Sequence, residues 1–80
     1  MARIALKVHS DDNVVTLLDS NESVRITGDG MVLLDDIPFG HKVATRPIPA
    51  GAAVIKYGVA IGIATRPIAR GEHVHVHNCR

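Results

Sequence analysis

The sequence predicts a small all-β domain over residues 1–80, and three observations carry that prediction. One phrase is written twice: HKVATRPIPAGAAVIKYG (41–58) and IGIATRPIARGEHVHVHN (61–78) align without gaps at an offset of 20 residues. Such a repeat signals one supersecondary unit used more than once. Its shorter form, Ile37-Pro38-Phe39-Gly40-His41-Lys42-Val43, precedes both copies. Pro and Gly also return at regular steps, with Gly40, Gly51 and Gly71 each three residues after an isoleucine. Nothing in the repeated half sustains the 3.6-residue period of a helix.

Taken in order, Ile4, Leu6 and Val8 alternate with Ala5 and Lys7, the period-2 pattern of a half-buried strand. The run stops at His9-Ser10-Asp11-Asp12-Asn13, side chains that bond their own backbone in turns. The same cluster would cap a short helix beginning near Val14. Val14-Val15-Thr16-Leu17-Leu18 is open to both readings, with its β-branched start favouring strand. A turn at 19–22 leads to a strand at 23–27, a tight hairpin at Gly28-Asp29-Gly30 and a return strand at 31–34. Pro38, Pro47, Pro49 and Pro67 lack an amide donor and belong outside central strands. Between these corners short strands are expected at 41–45, 53–57, 61–65 and 72–77. The sequence stops straight out of the last of them, as expected of a small subunit or of a domain cut from a longer polypeptide.

Apolar residues make up 46% of the chain, and the core must come almost wholly from Val, Ile, Leu and Ala, since Phe39 and Tyr57 are the only Phe, Trp or Tyr residues. A net charge of +1 with both signs interspersed lacks the field of a nucleic-acid binder, and the shortage of stacking aromatics argues against single-strand binding. Cys79 is alone, so there is no disulfide framework, which suits a cytoplasmic location. The amino-terminal apolar run is too short, and its acids too early, for a signal peptide. No apolar run reaches 18 residues, so no membrane-spanning helix is expected.

His73, His75 and His77 are the sharpest chemical feature. On a strand, residues i, i+2 and i+4 share a face, so three imidazoles would line up while Val74 and Val76 point into the core. Same-face neighbours lie roughly 6.5–7 Å apart, close enough for two rings to converge on one divalent ion. A third ring on a straight strand would not reach it, so another ligand must come from elsewhere. A His-rich exposed edge strand has the same pattern, and the residues alone leave both readings open. His41 follows a corner glycine, and its pKa range suits proton transfer near neutrality; a passive surface histidine looks the same. Lys56 offers a point charge for a carboxylate, and Tyr57 either plugs the core or presents its hydroxyl. His9 with Asp11 and Asp12 reads as a turn, and Arg46 and Arg66 as structural positions of the repeat. Gly28-Asp29-Gly30 lacks the Lys-Ser/Thr of a phosphate loop.

Three phrases taken together carry a family resemblance: Gly40-His41-Lys42-Val43-Ala44, Ile55-Lys56-Tyr57-Gly58 with Ile61-Gly62, and Gly71-Glu72-His73-Val74-His75-Val76-His77-Asn78. In this order they resemble the small domain of the altronate/galactarate dehydratase family, one of the SAF group. The resemblance covers the whole chain and implies a small β-clip fold. It also implies a much larger catalytic subunit or domain as partner, with iron or another divalent metal as cofactor. Members of the family eliminate water from sugar acids such as altronate or galactarate, and a related branch eliminates sulfite from sulfolactate. Carried over by position, His41, Lys56 and Tyr57 are the catalytic candidates, and His75 and His77, with His73 beside them, the metal candidates. The rival implication is a non-catalytic SAF-type module for carbohydrate binding or protein interaction. Either is compatible with a homo-oligomer.

Overall fold

A computed structural model describes residues 1–80. The three isoleucine–glycine corners explain its path. Gly40, Gly51 and Gly71 take φ of 79°, 84° and 85°, a region that strains any residue with a Cβ. Each corner therefore turns the chain sharply and releases a short strand. The strands are β1 (Ala5–Leu6), β2 (Val14–Leu17), β3 (Lys42–Ala44), β4 (Ala53–Lys56), β5 (Val59–Ile63) and β6 (His73–Val74). They form an antiparallel sheet in the order β1-β2-β3-β6 and a two-stranded β4-β5 hairpin, with no helix anywhere. No helix is therefore long and apolar enough to cross a membrane.

The two copies of the repeat pair with one another about a pseudo-twofold axis. Ile48 and Ile68 donate to each other's carbonyls at 2.8 Å in both directions. Gly51 donates to the Ala64 carbonyl and Gly71 to the Ala44 carbonyl, again both at 2.8 Å. Two buried asparagines, 5% and 0% exposed, continue the symmetry. The Asn13 carboxamide accepts from the Ile55 N–H at 2.7 Å and donates to the Ala53 carbonyl at 2.9 Å. The Asn78 carboxamide accepts from the His75 N–H at 3.0 Å and donates to the His73 carbonyl at 2.8 Å, each partner 20 positions further on. Val14, Ala44, Ile48, Val54, Ala64, Ile68 and Val74 pack between the copies, with Cys79 partly buried against them. A second cluster of Val15, Leu17, Met31, Leu33, Ile37 and Val43 lies on the other side of β2 and β3. Because β2 feeds both clusters, its apolar run is nearly continuous, which is why its period reads ambiguously as sequence.

Four expectations change. Ile4, Leu6 and Val8 are 60%, 45% and 51% exposed, not half-buried. The inward place belongs to Arg3, 1% exposed, whose Nε is paired with the Asp19 carboxylate and whose Nη2 donates to the carbonyls of Asp19 (2.9 Å) and Ile37 (2.8 Å). The segment 23–34 does make a hairpin, but it keeps only the Ile26–Val32 bridge as ladder. Strand β5 starts at Val59, not residue 61, because Tyr57 and Gly58 both take positive φ (57° and 73°) and complete a two-residue hairpin turn. Strand β6 stops at Val74. The Asn78 carboxamide reaches back to the His75 N–H and folds residues 75–78 into a turn, leaving Val76 83% exposed rather than in the core.

Candidate functional site: a four-histidine cluster

The expectation that strand alternation would align His73, His75 and His77 fails, since β6 ends too early. The turn gathers them instead, and adds His41. The corner at Gly40 delivers His41 to the start of β3, whose Val43 pairs with His73 across the sheet. His41 stacks on His75 with ring centroids 4.5 Å apart, and its centroid lies 5.1 Å from that of His73. The His73 ring lies 5.5 Å from those of both His75 and His77. At the centre, His41 Nδ1 and His73 Nε2 meet at 2.9 Å, a hydrogen bond in which one ring donates and the other accepts.

That bond requires at least one neutral ring at the contact, and the surroundings favour one. Burial pushes the His73 pKa below its ordinary 6.5, and the charges that His41, His77 and His75 would carry push it the same way. Asp35 opposes them, and its Oδ2 also accepts the His73 backbone N–H at 2.9 Å. A shallow cleft of about 550 Å³ opens beside the rings, lined by Asp35, Asp36, Arg66, Glu72, His73 and His77. Glu72 is tied back: Oε1 accepts the Ala69 N–H at 2.9 Å, Oε2 accepts from Asn78 Nδ2 at 3.2 Å, and Arg66 stands 3.8 Å away. Asn78 thus bonds Glu72, His73 and His75 at once, and it is the residue that fixes the spacing of the rings.

For metal binding, the donors present are of the right type. Two facing imidazole nitrogens, one held neutral, are what a divalent ion takes. No three of the chain's own His, Cys, Asp or Glu donors are grouped to hold an ion as the domain stands.

Lys56 and Tyr57 are placed elsewhere. They sit at the β4–β5 turn, with Lys56 Nζ 4.7 Å from the Tyr57 ring centroid, a cation–π contact on a ring 53% exposed. That tip is anchored by Asp12, whose Oδ1 accepts the Gly58 N–H at 2.8 Å. Burial opposes ionisation of Asp12, but the N–H groups of Gly58, Tyr57 and His9 outweigh it and hold the carboxyl below its ordinary value, with the His9 charge adding to them. Asp12 precedes β2, whereas His41 meets the far end of that strand, accepting the Leu17 N–H at 3.0 Å. A four-residue strand spans about 13 Å, so the structure assembles the histidines and leaves the Lys56–Tyr57 pair apart from them.

Sequence reasoning did not single out Asp35 or the buried Arg3; it read Asp12 as part of a turn and named Asn78 only within the family phrase. One signal was available: Asn13 stands before Val14 as Asn78 stands before Cys79, and both pairs feed the same core cluster.

Comparison with known proteins identifies the family. Residues 3–80 match the altronate/galactarate dehydratase SAF domain. Altronate dehydratase of Escherichia coli (strain K12) is 46% identical over 78 residues, which are 94% of this chain and 16% of that enzyme. Galactarate dehydratase (L-threo-forming) of the same organism is 44% identical over 71 residues, 86% of this chain and 14% of that enzyme. The alpha subunit of (2R)-sulfolactate sulfo-lyase from Chromohalobacter salexigens is 52% identical over 46 residues, 58% of this chain and 49% of the subunit. The chain thus spans about one-sixth of the dehydratases it matches and half of the sulfo-lyase subunit. By the match over residues 3–80, the chain belongs to the altronate/galactarate dehydratase SAF-domain family.

Proposed function

We propose that this domain is the small part of a lyase that eliminates water from a sugar acid, working in the cytoplasm with a large catalytic subunit or domain. The observation that carries the reading is the His41–His73 contact at 2.9 Å with His75 and His77 packed around it, within a domain similar to those of two sugar-acid dehydratases. Elimination needs a base to take the proton α to the carboxylate and an acid to protonate the departing hydroxyl. A hydrogen-bonded imidazole pair can hold a proton at either His41 Nδ1 or His73 Nε2 and pass it on. Lys56 and Tyr57 stand too far from the histidines to hold the carboxylate beside that proton, so they would serve at a separate place, where the partner closes over the β4–β5 tip. Iron or another divalent metal, held by no more than two of His75, His77 and His73 in this arrangement, would supply Lewis-acid polarisation of a substrate oxygen. The partner would provide the ligands this chain lacks. A groove lined by Ile61, Val74, His75 and Val76 joins the cluster to the exposed apolar residues of β5, a surface suited to such a partner.

The test is co-expression with a candidate large subunit, followed by assay on altronate, galactarate and sulfolactate. The complex should dehydrate a sugar acid, and the small chain alone should turn over none. His75→Ala and His77→Ala should each lower the activity of the complex at least ~10²-fold, as for loss of an acid–base group. Their Tm should stay put, since both side chains are exposed. Normal turnover by both variants would return the domain to a non-catalytic interaction module. The sulfo-lyase reading is favoured by one observation: 51% identity over 45 residues that make up 67% of the alpha subunit from Paracoccus pantotrophus, against 14–16% of the dehydratases. Sulfite released from sulfolactate, with no dehydration of sugar acids, would select it.

A further inference from the structure

A second cleft, of about 620 Å³, shares no lining residue with the histidine cleft. Its wall carries four cations, Arg3, Lys7, Arg46 and Arg70, against one acid, Asp29, and also includes Thr45. The ion pairs of the chain involve Arg3, Arg25, Arg66 and His9, so Lys7, Arg46 and Arg70 have no carboxylate partner. Arg46 makes only a long 3.4 Å contact to the Asp11 carbonyl. Asp29 accepts from the Thr27 hydroxyl and keeps its negative charge, which interacts with Arg70, so it offsets one of the cations and leaves the rest unmatched. Arg3 adds a buried donor: it is 1% exposed, and its Nη1 has no hydrogen-bond partner. That nitrogen is covered and Arg3 is already paired with Asp19, so Arg3 backs the wall while the ligand-facing charge comes from the exposed Lys7, Arg46 and Arg70.

We propose that this cleft is a binding site for a small doubly charged anion, of the phosphate or dicarboxylate class. Lys7, Arg46 and Arg70 outnumber the one carboxylate beside them, and a bound anion would offset the positive charge that remains. Guanidinium forks at Arg46 and Arg70 suit planar or tetrahedral oxyanions, and Lys7 adds a movable point charge. The concave shape favours a small ion over a flat acidic surface of another protein. The dehydratase reading assigns no role to these residues, and the site stands or falls without it.

The experiment uses the 80-residue chain, uniformly ¹⁵N-labelled, titrated at constant ionic strength with inorganic phosphate and, separately, with tartrate as a small hydroxy-dicarboxylate. A chloride titration is the blank. We expect saturable shifts confined to the amides of Gly28, Asp29, Thr45, Arg46 and Arg70 with phosphate or tartrate, and none with chloride. The anion that saturates at the lower concentration identifies the class. The double variant Arg46→Gln/Arg70→Gln should weaken binding at least tenfold, and Arg25→Gln, which lies outside this cleft and pairs with Asp36, should leave it unchanged. Arg46 and Arg70 are both exposed, so the fold should persist. If it does not, Lys7→Gln is the replacement, with weakening of at least threefold expected. Linear, unsaturated shifts for both anions, or equal affinity in the double arginine variant or the lysine variant, would overturn the site.

Discussion

At the scale of single residues, Asn78 is where shape and chemistry meet. It is fully buried, and its carboxamide makes three bonds, to Glu72, His73 and His75. Asn78→Ala would leave the His75 N–H and the His73 carbonyl without that partner, at about 1–3 kcal/mol for a buried group left unsatisfied. We expect a lower Tm, together with loss of the close His41–His73 contact, read from imidazole ¹⁵N shifts. His73 itself sets a pH dependence. Its folded pKa lies below the ordinary 6.5, so between those two values the unfolded chain binds more protons than the folded one. Stability conferred by neutral His73 should therefore be intact above pH 6.5 and decline as pH falls from there through the folded pKa. Denaturant midpoints measured from pH 8 to 5 should show that decline, and His73→Gln should flatten it.

At the scale of elements, the corners separate into two kinds. A Cβ at Gly40 or Gly51 would meet nothing within 4 Å, so only backbone strain opposes substitution there. At Gly71 a Cβ would fall 2.2 Å from the Val32 carbonyl oxygen, where another backbone must move. Gly40→Val and Gly51→Val should each cost ~1–3 kcal/mol, the range for strained φ, while Gly71→Val should cost more. Thermal melts of the three variants check that ranking, and equal values would show that Val32 yields freely. The corners were legible because glycine spacing writes positive φ into the sequence. The histidine site was legible as a set of residues but not as a geometry. Alternation predicted His73, His75 and His77 on one strand face, whereas a turn closed by Asn78 gathers them. Turn closure by a carboxamide leaves no period to read. Strand β1 misled for a related reason: Ile4, Leu6 and Val8 alternate, yet the buried partner is Arg3, whose acceptors Asp19 and Ile37 lie far along the chain.

At the scale of the whole molecule, neither repeat completes itself. Ile48 closes on Ile68, Gly51 on Ala64 and Gly71 on Ala44, each across the two copies. The offset of 20 residues announced the duplication, but pairing across the pseudo-twofold, rather than within each copy, was not written in either copy alone. A chain ending at Gly71 would lose β6, Asn78 and the cover over Ala64, and should show no dispersed amide spectrum. The same feature bears on manufacture. A ribosome delivers residues in order, and β2 and β3 each have one neighbouring strand far downstream, so long loops must close before those contacts reward them. The apolar faces of Val14 and Ala44 wait unshielded until residues 64–79 emerge, and the domain can then form only as a single late event.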